Sequence, residues 1–281
     1  MNRRARPLWR PIALWLGLGF LYVPIAWIVV YSFSGSTVAG VWKGFSLRWY
    51  AALAENDALR QAAGLSLLLA ALAATTATAL GTIAGYALAR LPRFGGRAVM
   101  TGLLAVPLFV PEILIGFALL MLFVGLETLT GLRVSKGLLP LVAGHATMGM
   151  PVVASVVFAR LRGLDRSFEE AALDLGARPL RVFLTVTLPL ALPALASGWL
   201  LAFTLSFDDV ITSSFLAGPA NTTLPMLVYS TVRVGVSPQI NVIGTLIIAG
   251  VALLVTVAML RGGAAPGIAT GRARAAGAAA D

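Results

Sequence analysis

Three carboxylates stand where the chain is otherwise apolar: Glu112 in the run 99–124, and Asp208 and Asp209 in the run 190–215. A charge at the middle of a bilayer costs from ~2.5 to more than 10 kcal/mol depending on how it is measured, so ionisable side chains kept there face a bundle interior or a water-filled path and are candidates for function. Carboxylates along such a path suit a solute with ammonium charge. The aromatic faces of Phe203, Phe207 and Tyr229, near in sequence, can add cation–π attraction. A structural alternative stands beside this: Asp208 and Asp209 could cap a broken helix or pair with Arg233, and Glu112, directly after Pro111, could open a helix whose dipole favours a negative charge. His145, the single histidine, reads as a hydrogen-bonding residue between packed helices.

Other chemistry is excluded by what the chain lacks. There is no cysteine and one histidine, which removes disulfides, thiolate sites and multi-histidine metal centres. Its two lysines, Lys43 after Trp42 and Lys136 after Ser135, cannot complete the G-x-x-x-x-G-K-[ST] phosphate loop. Neither H-E-x-x-H nor G-x-S-x-G occurs. The expectation is a non-catalytic chain with no cofactor and no metal of its own.

The elements that must position these residues follow from composition. Of 281 residues, 59% are hydrophobic and 11% charged, against about 25% charged in soluble domains, so lipid must be part of the solvent. Six apolar segments are predicted as transmembrane helices, approximately 12–33, 62–89, 99–124, 138–159, 190–215 and 240–260. The first follows Arg3, Arg4, Arg6 and Arg10. It is long enough to cross ~30 Å of hydrocarbon and lacks a small-x-small cleavage site behind it, so it reads as a retained span. The net charge of +10 does not point to nucleic acid, because the basic residues lie in short breaks between apolar runs, as helix-anchoring charges do. Those at the amino end, in 90–97 (Arg90, Arg93, Arg97), in 160–189 (Arg160, Arg162, Arg166, Arg178, Arg181) and in the tail (Arg261, Arg272, Arg274) outnumber the alternate set of Lys43, Arg48, Arg60, Arg133, Lys136 and Arg233 by fifteen to six. Both termini are therefore expected in the cytoplasm. Trp9, Trp15, Trp27, Trp42, Trp49 and Trp199 read as interfacial anchors. Gly81 and Gly85 form a small-xxx-small pair for close helix packing. The glycine-, alanine- and arginine-rich tail, 261–281, reads as disordered.

The break at 160–189 is longer than the about 12–15 residues that structureless loops usually reach. Ser167 and Glu170 form an S-x-x-E capping box. Phe168, Ala171, Ala172 and Leu175 follow at helical spacing on one face, with Asp165, Glu169 and Asp174 at polar positions. Gly176 suits a helix stop, Pro179 the first turn of a second short helix through Thr187, and Pro189 and Pro193 the return to the bilayer. The small apolar side of this loop can rest on lipid headgroups or dock into a groove of another protein.

Glu170-Ala171-Ala172, then Gly176, then Val186, Leu188 and Pro189 resemble, in every spacing, the EAA loop of the permease subunits of bacterial ABC importers. The resemblance covers about 62–260. It implies an all-α membrane protein with six transmembrane helices in a MetI-like bundle, in which Glu170, Ala171, Ala172, Asp174, Gly176, Leu188 and Pro189 belong to a cytoplasmic coupling helix and its surroundings. It further implies a second homologous permease as heterodimer partner, a dimeric ATP-binding subunit that holds ATP and Mg, and a periplasmic solute-binding protein. On this reading 1–61 is the amino end, first span and periplasmic loop, and the protein is a multi-pass component of the bacterial inner membrane. Ser206-Phe207-Asp208-Asp209, Ser213-Ser214-Phe215, Gly218-Pro219, Thr223-Leu224-Pro225-Met226 and Val234 through Asn241 are similar to the spermidine/putrescine branch, and the Thr-Leu-Pro-Met run to its putrescine type. The branch implies a polyamine substrate, with Glu112, Asp208, Asp209, Phe207 and Tyr229 as its path. A permease for another small solute, such as an amino acid, iron or an anion, is the alternative. A secondary transporter or channel would call for inverted repeats, which the sequence does not display.

Overall fold

The computed structural model describes residues 9–38, 40–91, 93–131, 134–234 and 238–261. Arg3, Arg4, Arg6, Arg133 and the tail expected to lack order, with Arg272 and Arg274, lie outside the described residues, apart from Arg261. The described residues are helical throughout, apart from connections and one isolated antiparallel bridge, Ser34 with Phe45. In order the helices are α1 (Trp9–Tyr31), α2 (Arg48–Ala54), α3 (Asp57–Arg90), α4 (Arg97–Phe109), α5 (Glu112–Thr130), α6 (Leu138–Arg162), α7 (Ser167–Asp174), α8 (Pro179–Val182), α9 (Leu188–Asp208), α10 (Ile211–Leu216), α11 (Leu224–Val234) and α12 (Gln239–Arg261), with a π-helical turn, Phe183–Thr187, between α8 and α9. Among the described residues, five helices are long and apolar enough to cross a bilayer: Ile12–Tyr31, Asp57–Arg90, Glu112–Thr130, Leu138–Arg162 and Pro179–Asp208. Among the described residues Arg97–Phe109 and Gln239–Leu253 are shorter apolar helices.

All six expected apolar segments are helical, but two are interrupted. The segment 99–124 is two helices. Pro111 excludes the α conformation from the residue before it, so Val110 is extended (φ −83°, ψ 134°) and α5 begins afresh at Glu112. The segment 190–215 breaks at Asp209 (φ −69°, ψ 126°), beyond which α10 makes a short helix of its own. Other bounds also move. The Asn56 side chain accepts the Leu59 N–H at 3.2 Å, which caps α3 at Asp57 instead of 62. The stretch 216–239, between two of the expected spans, contains α11. Pro179 does open a helix, yet no second short helix ends at Thr187: the chain runs helically from Pro179 to Asp208 through the π turn. The wider turn accommodates Pro189, which has no N–H to give, while the Leu188 N–H reaches the Phe183 carbonyl.

The chain divides into two compact units, Asn56–Gly235 and Met1–Glu55 with Val236–Asp281. In the first, α3, α6 and α9 pack around Ala74, Ala77, Ala146, Val153, Val157, Leu161, Ala191 and Ala202. Lipid supplies no hydrophobic drive between helices, so association rests on close van der Waals fit, which small residues permit. A Cβ at Gly81 would stand 2.8 Å from the Met150 carbonyl oxygen, and one at Gly85 2.7 Å from that of Ala154. The expected glycine pair thus seats α3 on α6. Trp199 departs from the interfacial expectation: it lies in mid-α9, donates from Nε1 to Thr75 Oγ1 at 3.1 Å and stacks on Phe203. A second apolar cluster, Leu69, Leu141 and Leu216 with Leu119 and Phe215 against it, holds α10, which also packs on α5.

In the other unit α12 packs on α1 and α2. Ser32 Oγ and Tyr50 Oη are joined by a hydrogen bond of 2.8 Å, and the rings of Phe45 and Tyr50 stack with Phe33.

Candidate functional site

The loop after α6 is built from backbone capping at both ends of α7. Its start differs from the expected capping box. Arg166, not Ser167, occupies the cap position and makes no side-chain cap. Asp165 takes that part, its Oδ1 accepting the Ser167 N–H at 3.0 Å. The Ser167 N–H, followed by its hydroxyl, holds the exposed Asp165 carboxyl below the usual carboxylate range. The end is as expected. Gly176 takes φ +83°, its N–H bonds the Leu173 carbonyl at 2.8 Å, and the Ala177 N–H bonds the Ala172 carbonyl at 3.1 Å, the paired closure of a Schellman motif. No residue of α7 is buried. Glu170, Ala171, Asp174, Gly176 and Pro189 are exposed, and Ala172 and Leu188 half-buried. Phe168, Leu173, Leu175 and Leu180 add exposed apolar surface, 89% at Leu175. The face bearing the EAA residues is therefore presented outward by the chain.

What fixes this loop to the bundle was not foreseen. Glu169, expected only as a polar position, pairs with Arg90 at the end of α3, Nε to Oε2 2.9 Å and to Oε1 3.1 Å, with the two side chains 15% and 8% exposed. Thr187, in the π turn and buried, donates to the same carboxylate at 2.8 Å. Arg166 Nη2 also donates to the Ala89 carbonyl at 3.0 Å. Glu169 neighbours the motif glutamate, but the distance of 79 positions to its arginine leaves no local pattern that marks the pair.

The second constellation lies at the α9–α10 break. Asp209 is buried. Its Oδ1 accepts the Thr212 N–H at 3.1 Å, and its Oδ2 accepts the Ser213 N–H at 2.8 Å and the Ser213 hydroxyl at 3.1 Å. From α6, His145 brings Nε2 to 3.3 Å from Asp209 Oδ2 and 3.1 Å from Ser213 Oγ, and Nδ1 to 2.7 Å from Ser206 Oγ. With a proton on Nε2 and none on Nδ1, the ring donates towards Asp209 and Ser213 and accepts from Ser206, an arrangement that satisfies each member. Asp209 thus acts as a buried helix cap, the structural alternative. His145 is a hydrogen-bonding residue between α6, α9 and α10, as expected.

Asp208 and Glu112 are exposed. Packing of α10 on α5 brings the first turn of α5 to the break, and Glu112 lies within electrostatic reach of both Asp209 and Asp208. Phe207 stacks on Phe203, with ring centres 5.9 Å apart, and Phe203 on Trp199 at 5.2 Å, so an aromatic column runs along α9 towards Asp208. Tyr229, on α11, is engaged by Arg233. Arg233 lies over its ring at 4.7 Å and donates to its hydroxyl at 2.6 Å, so this arginine serves the tyrosine instead of the aspartates. Among the described residues no group of three or more His, Cys, Asp or Glu is arranged to hold a metal ion.

A helical membrane chain with an exposed helical loop and an interrupted, acid-bearing helix pair defines a class. Residues 77–262 match the family described as binding-protein-dependent transport system inner membrane component, and the chain belongs to it. It is a membrane subunit of an ABC-type transport system. The putrescine transport system permease protein PotI of Escherichia coli (strain K12) is 49% identical over 249 residues, 89% of each chain. The spermidine/putrescine transport system permease protein PotC of the same strain is 42% identical over 229 residues, 82% of this chain and 84% of PotC. The molybdenum transport system permease protein ModB of Haemophilus influenzae is 32% identical over 164 residues, 55% of this chain and 71% of ModB. Among solved structures, a bacterial ABC transporter involved in the import of the acidic polysaccharide alginate matches over 94% of this chain and 99% of its own, with a TM-score of 0.69 at 20% identity, which shows a common fold.

Proposed function

We propose that this chain is the pore-forming permease subunit of an ATP-driven importer of a polyamine, of the putrescine class. The observation that carries the substrate is the 49% identity to a putrescine permease over 89% of both chains, above that to a spermidine/putrescine permease. It agrees with the similarity of the Thr223–Met226 run. The site suits it chemically. Glu112 and Asp208 are the exposed carboxylates of the passage, Asp209 adds its charge from beneath, and Phe207 ends an aromatic column that can hold an alkylammonium by cation–π attraction. Putrescine's two ammonium groups, separated by a short apolar chain, match carboxylates with an aromatic surface between them.

In this reading both termini and the 160–189 loop are cytoplasmic, following the arginine bias. The face from Glu170 to Gly176, with Leu188 and Pro189, sits on a dimeric ATPase subunit, which binds ATP and Mg and hydrolyses the nucleotide. A second, homologous permease completes the pore, and a periplasmic binding protein delivers the solute. The chain itself catalyses nothing and carries no cofactor.

The test is reconstitution. The chain and its co-purifying partners, in proteoliposomes with the binding protein, take up radiolabelled putrescine when ATP is supplied on the loop side. Glu170→Arg abolishes ATPase capture and uptake together. Uptake that persists without any ATPase would refute the importer reading. ATP-driven uptake of molybdate or an amino acid, with none of putrescine, would refute the substrate.

A further inference from the structure

The docking face of α7 and its anchorage to the membrane helices are separate, and the structure assigns the anchorage to one carboxylate. We propose that Glu169 is the positioning residue through which α7 drives the membrane helices, by its pair with Arg90 and its hydrogen bond to Thr187. This rests on the importer reading of the preceding subsection and adds the route by which force leaves the loop.

Successive helix residues are about 100° apart, so Glu170 can face out while Glu169 faces the bundle. The Glu169 side chain is 15% exposed and joins three elements: its own helix α7, the end of α3 at Arg90, and the π turn at Thr187. Each partner is placed to transmit. Arg90 ends α3, which packs on both α6 and α9. Thr187 is the last residue of the π turn, and α9 is continuous from there to Asp208, with Pro193 inside it, so a displacement at Thr187 is carried along a single helix to the acidic end at Asp208. The π turn is where this helix can yield, because π-bulges mark helices at functional sites and loosen the regular ladder. Tyr86, on α3, meets Phe183 of the π turn edge-on at 5.0 Å, so the α3 and α9 ends are seated against each other beside the carboxylate.

The pair is also poorly replaceable. Nη2 of Arg90 is buried without a hydrogen-bond partner, so the guanidinium depends on Glu169 for its counter-charge, and a buried charge deprived of its partner is strongly unfavourable. Arg166, just before α7, contributes a charge-assisted hydrogen bond to the Ala89 carbonyl, which keeps the loop near α3 without setting its register against α9. Loss of the Glu169 charge should thus leave α7 able to meet the ATPase and unable to move α9 with it.

The experiment uses the whole importer in proteoliposomes with Glu169→Gln, Thr187→Val and the charge exchange Arg90→Glu with Glu169→Arg. Three quantities are read: ATPase subunit retained on purification, ATP hydrolysed, and putrescine taken up. For Glu169→Gln we expect normal retention and continued hydrolysis, with uptake per ATP reduced roughly tenfold, the factor that a lost charge-assisted hydrogen bond is worth. Thr187→Val, which keeps the volume and removes one bond, gives a smaller drop of the same kind, and the charge exchange restores part of the ratio. A purely structural role would lower assembly and leave the ratio unchanged. Wild-type uptake per ATP in both Glu169→Gln and Thr187→Val overturns the proposal. So does loss of the ATPase subunit from both variants, since it would place Glu169 in docking. A wild-type importer that takes up no putrescine or retains no ATPase overturns the importer reading instead, and the two failures are told apart.

Discussion

Asp208 and Asp209 are adjacent acids with opposite surroundings, and their substitutions should fail in different ways. Asp209→Ala removes the acceptor for the Thr212 and Ser213 N–H groups, for the Ser213 hydroxyl and for His145 Nε2, all buried. Loss of a helix N-cap costs about 0.5–2 kcal/mol, and a buried donor left unsatisfied about 1–3 kcal/mol. Part of the second term is recovered, because His145 and Ser213 remain 3.1 Å apart and can bond each other, so the expected loss is about 2–4 kcal/mol. It falls on α10 and on its seat against α5, where Glu112 stands. Asp208→Asn keeps a side-chain oxygen that can accept from its own backbone N–H, as the carboxylate does, and should leave stability within about 0.5 kcal/mol, as for exposed positions generally. The assay is thermal unfolding of the detergent-solubilised chain, followed by size-exclusion fluorescence, alongside putrescine uptake normalised to folded protein. Asp209→Ala should unfold several degrees below wild type. Asp208→Asn should melt with wild type and take up putrescine more slowly. Equal melting temperatures for Asp209→Ala and wild type, or a shared loss of stability in the two variants, would refute the assignment of cap and mouth.

Further outcomes follow from the packing and the loop. Gly81→Leu or Gly85→Val drives a side chain into the α6 backbone, 2.8 and 2.7 Å from carbonyl oxygens at the first carbon alone, and should reduce the yield of folded chain severely where Gly17→Ala, with open space around it, does not. Gly176→Val forces a β-branched residue to φ +83° at a cost of about 1–2 kcal/mol. It should fray the end of α7, seen as faster amide exchange at Ala177, and weaken ATPase capture. Asp165 titrates below the usual carboxylate range because its ionised form accepts from Ser167. Its support of the α7 start is therefore complete above that range and is lost only as pH falls through the lowered value, so protection of the Ser167 amide should be flat across neutral and mildly acidic pH and vanish in Asp165→Ala.

The recognisable parts of this chain in its sequence are those with a local cause. Helical membrane segments follow from runs too apolar for water. The end of α7 follows from Gly176, which adopts the left-handed conformation at little cost, and the start of α8 from Pro179, whose ring presets φ. The close α3–α6 contact is visible in Gly81 and Gly85, four apart on one helix face. The order of the EAA residues is itself a spacing, so the family could be read before any coordinates. Breaks inside apolar runs were harder, since hydropathy does not register whether the backbone stays helical. Pro111 carried a signal for one. The other rests on Asp209, whose capping role depends on where Ser213 and His145 come to lie. Ser167 and Glu170 matched a capping pattern, yet Asp165 won the Ser167 amide.

Side-chain partners far apart in sequence were decided by the tertiary structure alone. Arg90, Glu169 and Thr187 meet because the end of α3, the first turn of α7 and the last residue of the π turn come to one place, and no periodicity within any one element encodes that meeting. His145 finds Asp209 through the packing of α6 against α9 and α10, and Glu112 reaches the same region because α10 packs on α5. Composition and spacing determine which segments are helices and which face lipid, since each depends on a residue and its near neighbours. Which buried charge is neutralised, and by whom, depends on the low-dielectric contacts made once those helices are packed.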